Sequence, residues 1–217
     1  MSRLQHHVGL SLYRVLSRPL YPAPDSWAAG TIRFAQMGES ELLAWCDDAE
    51  MELSASTARA ALARGDLCIG ALENGRLLGY AWFAFGATPE SAGAWVEFDP
   101  RARYTYKHFV RPGCRGRRIL AGLLLAADGL CAERGRKRCV TLIYTHNRAS
   151  IRASERTGAR ATGYVATLRL FGRLLCWRSP GARREGVRLF KPQSNLRRLS
   201  FAMRRLASML AATTSRN

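Results

Sequence analysis

The alternation of apolar and polar residues along this 217-residue chain changes period several times, and each change predicts an element. Residues 67–72 and 76–85 are apolar runs parted by Glu73-Asn74-Gly75. Asn-Gly in that setting predicts a β-hairpin, because a two-residue turn needs positive φ at both positions. Upstream, 31–37 reads as a first strand, and after Gly38 two helical stretches follow at 40–46 and 54–64, the second stopped by Gly65. Residues 86–93 have loop composition, and 95–98 and 104–110 are rich in aromatic and β-branched residues, which predicts two strands. Pro112-Gly113 ends the second of them. A helix follows over 119–134, with Leu120, Leu123, Leu124, Ala127, Leu130 and Cys131 on one face. Then come a buried strand at 140–144, a helix at 149–157 ended by Gly158, and strands at 161–170 and 174–177.

The order β, α, β, α, β, β predicts an α/β sheet in which 104–110 and 140–144 run parallel, joined by a right-handed helical crossover. Both ends read differently. Residues 1–20 have the pattern of a short basic amphipathic helix outside the core, cut off by Pro19 and Pro22. From Lys191 onward there are six basic and no acidic residues, and Leu196, Leu199, Phe201, Met203, Leu206, Met209 and Leu210 describe a second basic amphipathic helix. The expected organisation is an extension over 1–29, a domain over 30–180 and a tail over 181–217. No internal repeat is visible.

Composition narrows the classes. At 47% apolar and 23% charged, the chain can build a globular core and fits neither a disordered nor a collagen-like polymer. The longest apolar run, 119–132, is interrupted by Asp128 and falls short of the roughly 20 residues a membrane crossing needs. No continuous apolar block marks a signal peptide at the amino terminus, which predicts a cytoplasmic protein, with the inner membrane surface as a place for its basic ends. The six cysteines (46, 68, 114, 131, 139, 176) form no CxxC pair, so free thiols are expected, with no metal. Charge is unevenly spread. Residues 1–100 hold 7 Lys/Arg against 12 Asp/Glu, and residues 101–217 hold 27 against 4. A half so basic attracts an anion such as a phosphorylated cofactor, nucleic acid or anionic lipid.

The stretch from Phe109 to Gly122 carries the most chemistry. It is a strand that runs through a tight basic turn into a helix. The first amides of a helix lack partners and sit at the positive end of its dipole, so a diphosphate placed there satisfies them. Gly116 allows close approach. Arg115, Arg117 and Arg118 add positive charge, each contact being a charge-assisted hydrogen bond of roughly 1.5–3 kcal/mol.

These residues resemble the GNAT superfamily of acyl-coenzyme A-dependent N-acyltransferases. Val110, Pro112, Arg115 and Gly116 fit the family's Val-x-Pro-x-x-Arg-Gly pattern, and Leu123-Leu124 fit the helix that follows. Asn147, Ser150, Glu155-Arg156 and Gly158 resemble the family's Asn-x-x-Ala/Ser…Glu-Lys-x-Gly-Phe segment. The likeness covers roughly 32–177 and implies a mixed, mostly antiparallel sheet with a central parallel pair, flanked by helices. It implies acetyl-CoA or another acyl-CoA as co-substrate. The diphosphate would lie at Arg115, Gly116, Arg117, Arg118, Ile119, Leu120 and Ala121, and the pantetheine between the strands at Phe109 and Val110 and near Asn147, Ser150 and Ser154. Four positions depart from the pattern. Arg118 and Leu120 stand where the family usually has Gly and then Gly or Ala. Ser154 stands where many members carry a Tyr thought to protonate the departing thiolate, and Ala159 replaces the usual Phe.

An ammonium has no lone pair, so attack on a thioester requires a base or a water chain. Candidates before the turn are Glu97, flanked by Trp95, Val96 and Phe98 and so expected to be desolvated, and Tyr104, Tyr106 and His108, which period-two alternation puts on one face. A backbone N–H near Val110 would polarise the carbonyl. Asn147 also suits a helix N-cap.

Two readings follow. The first is direct acyl transfer to an amine on a small molecule, lipid or protein, with an acidic acyl carrier protein as the alternative donor and a homodimer admitted. The second is a non-catalytic basic module that binds anionic lipid or nucleic acid. The arginines are not interleaved with aromatics as base stacking requires, which disfavours nucleic acid.

Overall fold

The computed structural model describes residues 8–21, 30–90 and 93–192. Its frame is an eight-stranded sheet. In chain order the strands are β1 (Val8–Pro19), β2 (Arg33–Gln36), β3 (Leu67–Glu73), β4 (Arg76–Ala84), β7 (Ala102–Val110), β8 (Arg138–Tyr144), β9 (Arg160–Leu170) and β10 (Arg173–Arg178). In space they run β10-β9-β1-β8-β7-β4-β3-β2. All neighbours are antiparallel except β7 and β8, which pair in parallel from Ala102↔Arg138 to Tyr104↔Val140. The expected mixed sheet with one parallel pair is the observed one. A second sheet joins β5 (Thr88–Pro89), β6 (Trp95–Glu97) and β11 (Arg188–Phe190).

Local chemistry sets these elements. The β3–β4 turn has Asn74 at φ 50° and Gly75 at φ 76°, the left-handed pair the hairpin signal requires. Five helices are described. α1 is Glu39–Leu43, and α2 (Ala55–Ala63) is capped by Ser54, whose Oγ accepts the Thr57 N–H at 3.2 Å. α3 (Ile119–Glu133) sets Ile119, Leu123, Ala127 and Cys131 at a spacing of four, and all are buried against Ile69, Ala71, Ala81 and Phe83. α4 is Arg148–Arg156 and α5 is Pro180–Arg184. The smaller sheet covers the opposite face of the main one, packing Val96 and Leu189 over Tyr104, Val140 and Val165.

The amino-terminal expectation is corrected. Residues 8–19 form a strand rather than a helix, and that strand lies inside the sheet between β8 and β9. Its inward residues Tyr13 and Val15 are buried, and its main chain is paired on both sides, which outweighs the weak helical spacing of its leucines. The loop expected at 86–93 contains β5. Beyond 180, Ala182, Val187 and Leu189 belong to the core, so the chain leaves the body of the fold later than expected. The carboxy-terminal basic helix and residues 1–7 fall outside the described residues.

A buried ionic knot ties the first strand to the rest. Arg18 donates twice to Asp128 of α3, at 2.6 and 3.1 Å, and Arg103 of β7 donates to the same carboxylate at 2.5 Å. Asp128 and Arg103 are fully buried and Arg18 nearly so. Two cations sharing one carboxylate in a dry interior hold only while all partners are present. The described cysteines are free, three buried and three half-buried.

Candidate active site

The parallel pairing of β7 and β8 ends at Tyr104 and Val140. Beyond that point the strands part, and Thr141 Oγ1 bridges the gap by donating to the Thr105 carbonyl at 2.9 Å. The wedge leads into a narrow cavity of about 20 Å³ on the side of the sheet that carries α3 and α4. Its walls include Thr105 and His108 of β7, Thr141 of β8, Leu120 and Leu124 of α3, and Ser154 of α4. The α3 amino terminus stands at one side of this opening.

That terminus is available to a ligand. The Gly122 N–H makes the first helical bond, to the Arg118 carbonyl at 3.1 Å, which leaves the amides of Ile119, Leu120 and Ala121 without a helical acceptor. No side chain caps them. Arg115, Gly116 and Arg118 are exposed around it, Gly116 with φ 84°. Arg118 itself adopts φ 58°, the left-handed conformation that glycine takes without cost. The family's glycine position therefore keeps its backbone shape here although its residue has changed. Arg117 does not lie free as expected. It donates two hydrogen bonds to the Glu73 carboxylate, at 2.9 and 2.6 Å, and together with Thr31 it holds the Glu73 carboxyl down at about 2.

A bulge in β7 decides which side chains face the cleft. Ala81 of β4 pairs with His108 and Phe83 pairs with Thr105, so Tyr106 and Lys107 together oppose the single Trp82. The extra residue reverses the alternation. Tyr104 and Tyr106 share the face beneath the smaller sheet and stack at 6.5 Å, as expected, but His108 turns to the α3 side. The expectation that all three share a face is corrected for His108. Burial lowers its imidazole pKa, so it is neutral at physiological pH.

The carboxylates are also redistributed. Glu97 is not desolvated; its side chain is 42% exposed and ion-paired with Arg188 at 2.7 Å. The strand pattern around it is real, but β6 is the middle strand of the smaller sheet, and the alternation that buries Val96 turns Glu97 to the outer face opposite Arg188. Two other carboxylates approach the tyrosines. Tyr104 donates to Glu90 Oε2 at 2.7 Å, and Tyr106 donates to Asp66 Oδ2 at 2.9 Å. Burial raises both carboxyls above their usual range, and for Asp66 it outweighs the pull of Arg64 at 2.7 Å. Sequence reading missed both. Glu90 sits in a stretch of loop composition, and Asp66 follows a helix stop, so neither lies in a pattern that signals burial.

The remaining candidates are placed as follows. Asn147 caps α4, its Oδ1 accepting the Ser150 N–H at 3.1 Å. Ser154 is buried at the cleft wall. Phe109 stacks on Tyr80 at 6.0 Å, away from the cleft, while Val110 packs toward α3. Among the described residues no three His, Cys, Asp or Glu side chains gather as a metal site, and no helix is long and apolar enough to cross a membrane.

A sequence model described as the acetyltransferase (GNAT) family matches residues 31–159. No curated protein matches the chain. Among solved structures, a Drosophila protein superposes with TM-score 0.52 at 14% identity, covering 76% of this chain and 52% of its own. The chain thus spans about half the length of that neighbour. A GNAT-family protein from Novosphingobium aromaticivorans superposes with TM-score 0.49 at 22% identity, over 79% of this chain and 68% of its own. An aminoglycoside acetyltransferase, AAC(6')-Iy bound to a bisubstrate analogue, gives TM-score 0.46 at 18% identity, over 59% and 90%.

Proposed function

The chain belongs to the GNAT acetyltransferase family, and from that premise we propose that it transfers an acyl group from acyl-CoA, acetyl in the simplest case, directly to the amine of a small molecule. The observation that carries this reading is the uncapped α3 terminus standing beside an open wedge between two parallel strands. The amides of Ile119 to Ala121, with Arg115 and Arg118, bind the diphosphate. The wedge takes the pantetheine arm, with Ser154 and Thr141 as polar contacts on its walls. The thioester supplies an activated acyl group. Beyond Tyr104 the edge of β7 that faces β8 has no strand partner, and main-chain N–H groups there stabilise charge on the thioester oxygen.

The acceptor nitrogen approaches from the Tyr106 side. Its lone pair attacks the acyl carbon and the carbon–sulfur bond breaks. The nitrogen's proton passes to the Tyr106 hydroxyl as that hydroxyl hands its own to Asp66, whose raised pKa suits it to accept. The departing thiolate takes a proton from water, since no tyrosine stands at Ser154. His108, neutral and on the cofactor side, shapes the wedge.

Thermal unfolding with acetyl-CoA tests the reading. At about 100 times the dissociation constant a ligand adds roughly 2.7 kcal/mol of stability, so the midpoint should rise by several degrees. An unchanged midpoint would leave the binding-module reading in its place.

A further inference from the structure

One face of the main sheet is covered along only part of its width. α3 packs over β2, β3, β4 and β7. α4 places Ile151 on Leu16 and Ile143, and its Glu155 pairs with Arg14 at 3.3 Å. Past Arg14 no described element lies on that face. The strand registers set Leu10, Leu168 and Leu175 in one row and Leu12, Ala166 and Trp177 in the next. Leu10 is 76% exposed, Trp177 56%, and Phe171 in the adjoining β9–β10 turn 78%. A contiguous apolar surface of this kind normally has a partner.

The chain's own path points to that partner. β11 runs along the opposite face of the sheet, and the Lys191 ammonium then donates to the Gly172 carbonyl at 3.1 Å, at the tip of the β9–β10 hairpin. The described chain ends one residue later, at Pro192, with residues 193–217 still to follow. In that segment Leu196, Leu199, Met203, Leu206 and Leu210 recur at alternating spacings of three and four, while Arg197, Arg198, Arg204 and Arg205 fall on the opposite side of a helical wheel.

We propose that segment 193–217 is the occupant of this face, lying across β10, β9 and β1 as the next helix of the layer that α3 and α4 begin. The dimensions agree. Fourteen steps from Leu196 to Leu210 span about 21 Å at 1.5 Å per residue. Six strand steps from Leu170 to Tyr164 span about 20 Å. Three strands are about 10 Å across, the width of one helix. The segment is already tethered at the edge of the face, so it binds at an effective concentration in the millimolar range, ahead of a second copy or a lipid surface at ordinary concentrations. This inference does not depend on the transferase reading.

Hydrogen exchange of the full chain, at low micromolar concentration and without lipid, is the test. Amides of 199–210 should exchange on the order of 100-fold more slowly than in a free peptide. The double variant Leu175→Glu/Trp177→Glu should abolish that protection while α3 amides stay protected. A second double variant, Leu199→Glu/Leu206→Glu, alters no described residue and should raise binding of a hydrophobic dye. Unprotected amides in the wild-type chain would overturn the proposal. So would protection that appears only with phosphatidylglycerol vesicles, protection that rises with protein concentration, or dye binding unchanged by the second variant.

Discussion

Replacing Asp128 by Asn keeps the shape of the side chain and removes its charge. In the wild-type protein this carboxylate accepts two bonds from Arg18, one from Arg103 and one from the Tyr21 N–H, and it is fully buried. The variant turns an amide toward one guanidinium and leaves two buried cations with no countercharge. Breaking a buried pair in this way costs about 3–5 kcal/mol. For a chain of this length each kcal/mol moves the midpoint by about 2–4 °C, so a fall of roughly 6–20 °C is expected. Urea unfolding followed by circular dichroism measures the loss. Adding Arg18→Met removes one stranded cation, so the double variant should lose less than the two single losses summed. Arg103 also donates to Thr105 Oγ1 at 2.8 Å, and the Thr105 carbonyl holds Thr141 across the wedge. Acetyl-CoA affinity should therefore weaken as well. A stability loss under about 1 kcal/mol would show that water or a shifted side chain replaces the carboxylate, and would refute the argument.

Tyr106→Phe removes the hydroxyl between acceptor and Asp66; kcat should fall by at least about 100-fold with the KM for acetyl-CoA unchanged, as steady-state kinetics with both substrates varied will read. Arg118→Gly relieves a left-handed residue at the helix cap and should stabilise the fold by about 1 kcal/mol in urea unfolding, while loss of its guanidinium should weaken coenzyme A binding by about tenfold or more in calorimetric titration. Arg101 and Arg138 hold the Asp99 carboxyl at about 2, so its contribution is present above the unfolded value near 4 and is lost as pH falls toward 2. Asp99→Asn should flatten that acid limb of a stability–pH curve.

The parts of the fold that were legible in the sequence are those written in short-range chemistry. Asn74-Gly75 requires a tight hairpin, the spacing from Ile119 to Cys131 requires a one-sided helix, and the strand–turn–helix around Gly116 follows from both. What was not legible depends on partners far along the chain. Residues 1–20 read as a basic amphipathic helix, yet 8–19 form a strand and its Arg18 is buried by a carboxylate 110 positions away. The site shows the same division. The helix terminus was visible, while the face of His108 depended on a bulge that no residue pattern announces. Glu97 was singled out by its strand setting, but the buried carboxylates are Glu90 and Asp66, each set against a tyrosine of β7 by packing that no local pattern announces.

Calorimetric titration comparing coenzyme A with pantetheine, which lacks the diphosphate and nucleotide, bears most directly on the α3 seat. Coenzyme A should bind with an affinity that weakens as salt rises, and pantetheine should bind at least about 100-fold more weakly if two or more charge-assisted contacts are lost. Equal affinity for the two, or no heat from coenzyme A at millimolar concentration, would contradict the claim that the open amides of α3 receive a diphosphate.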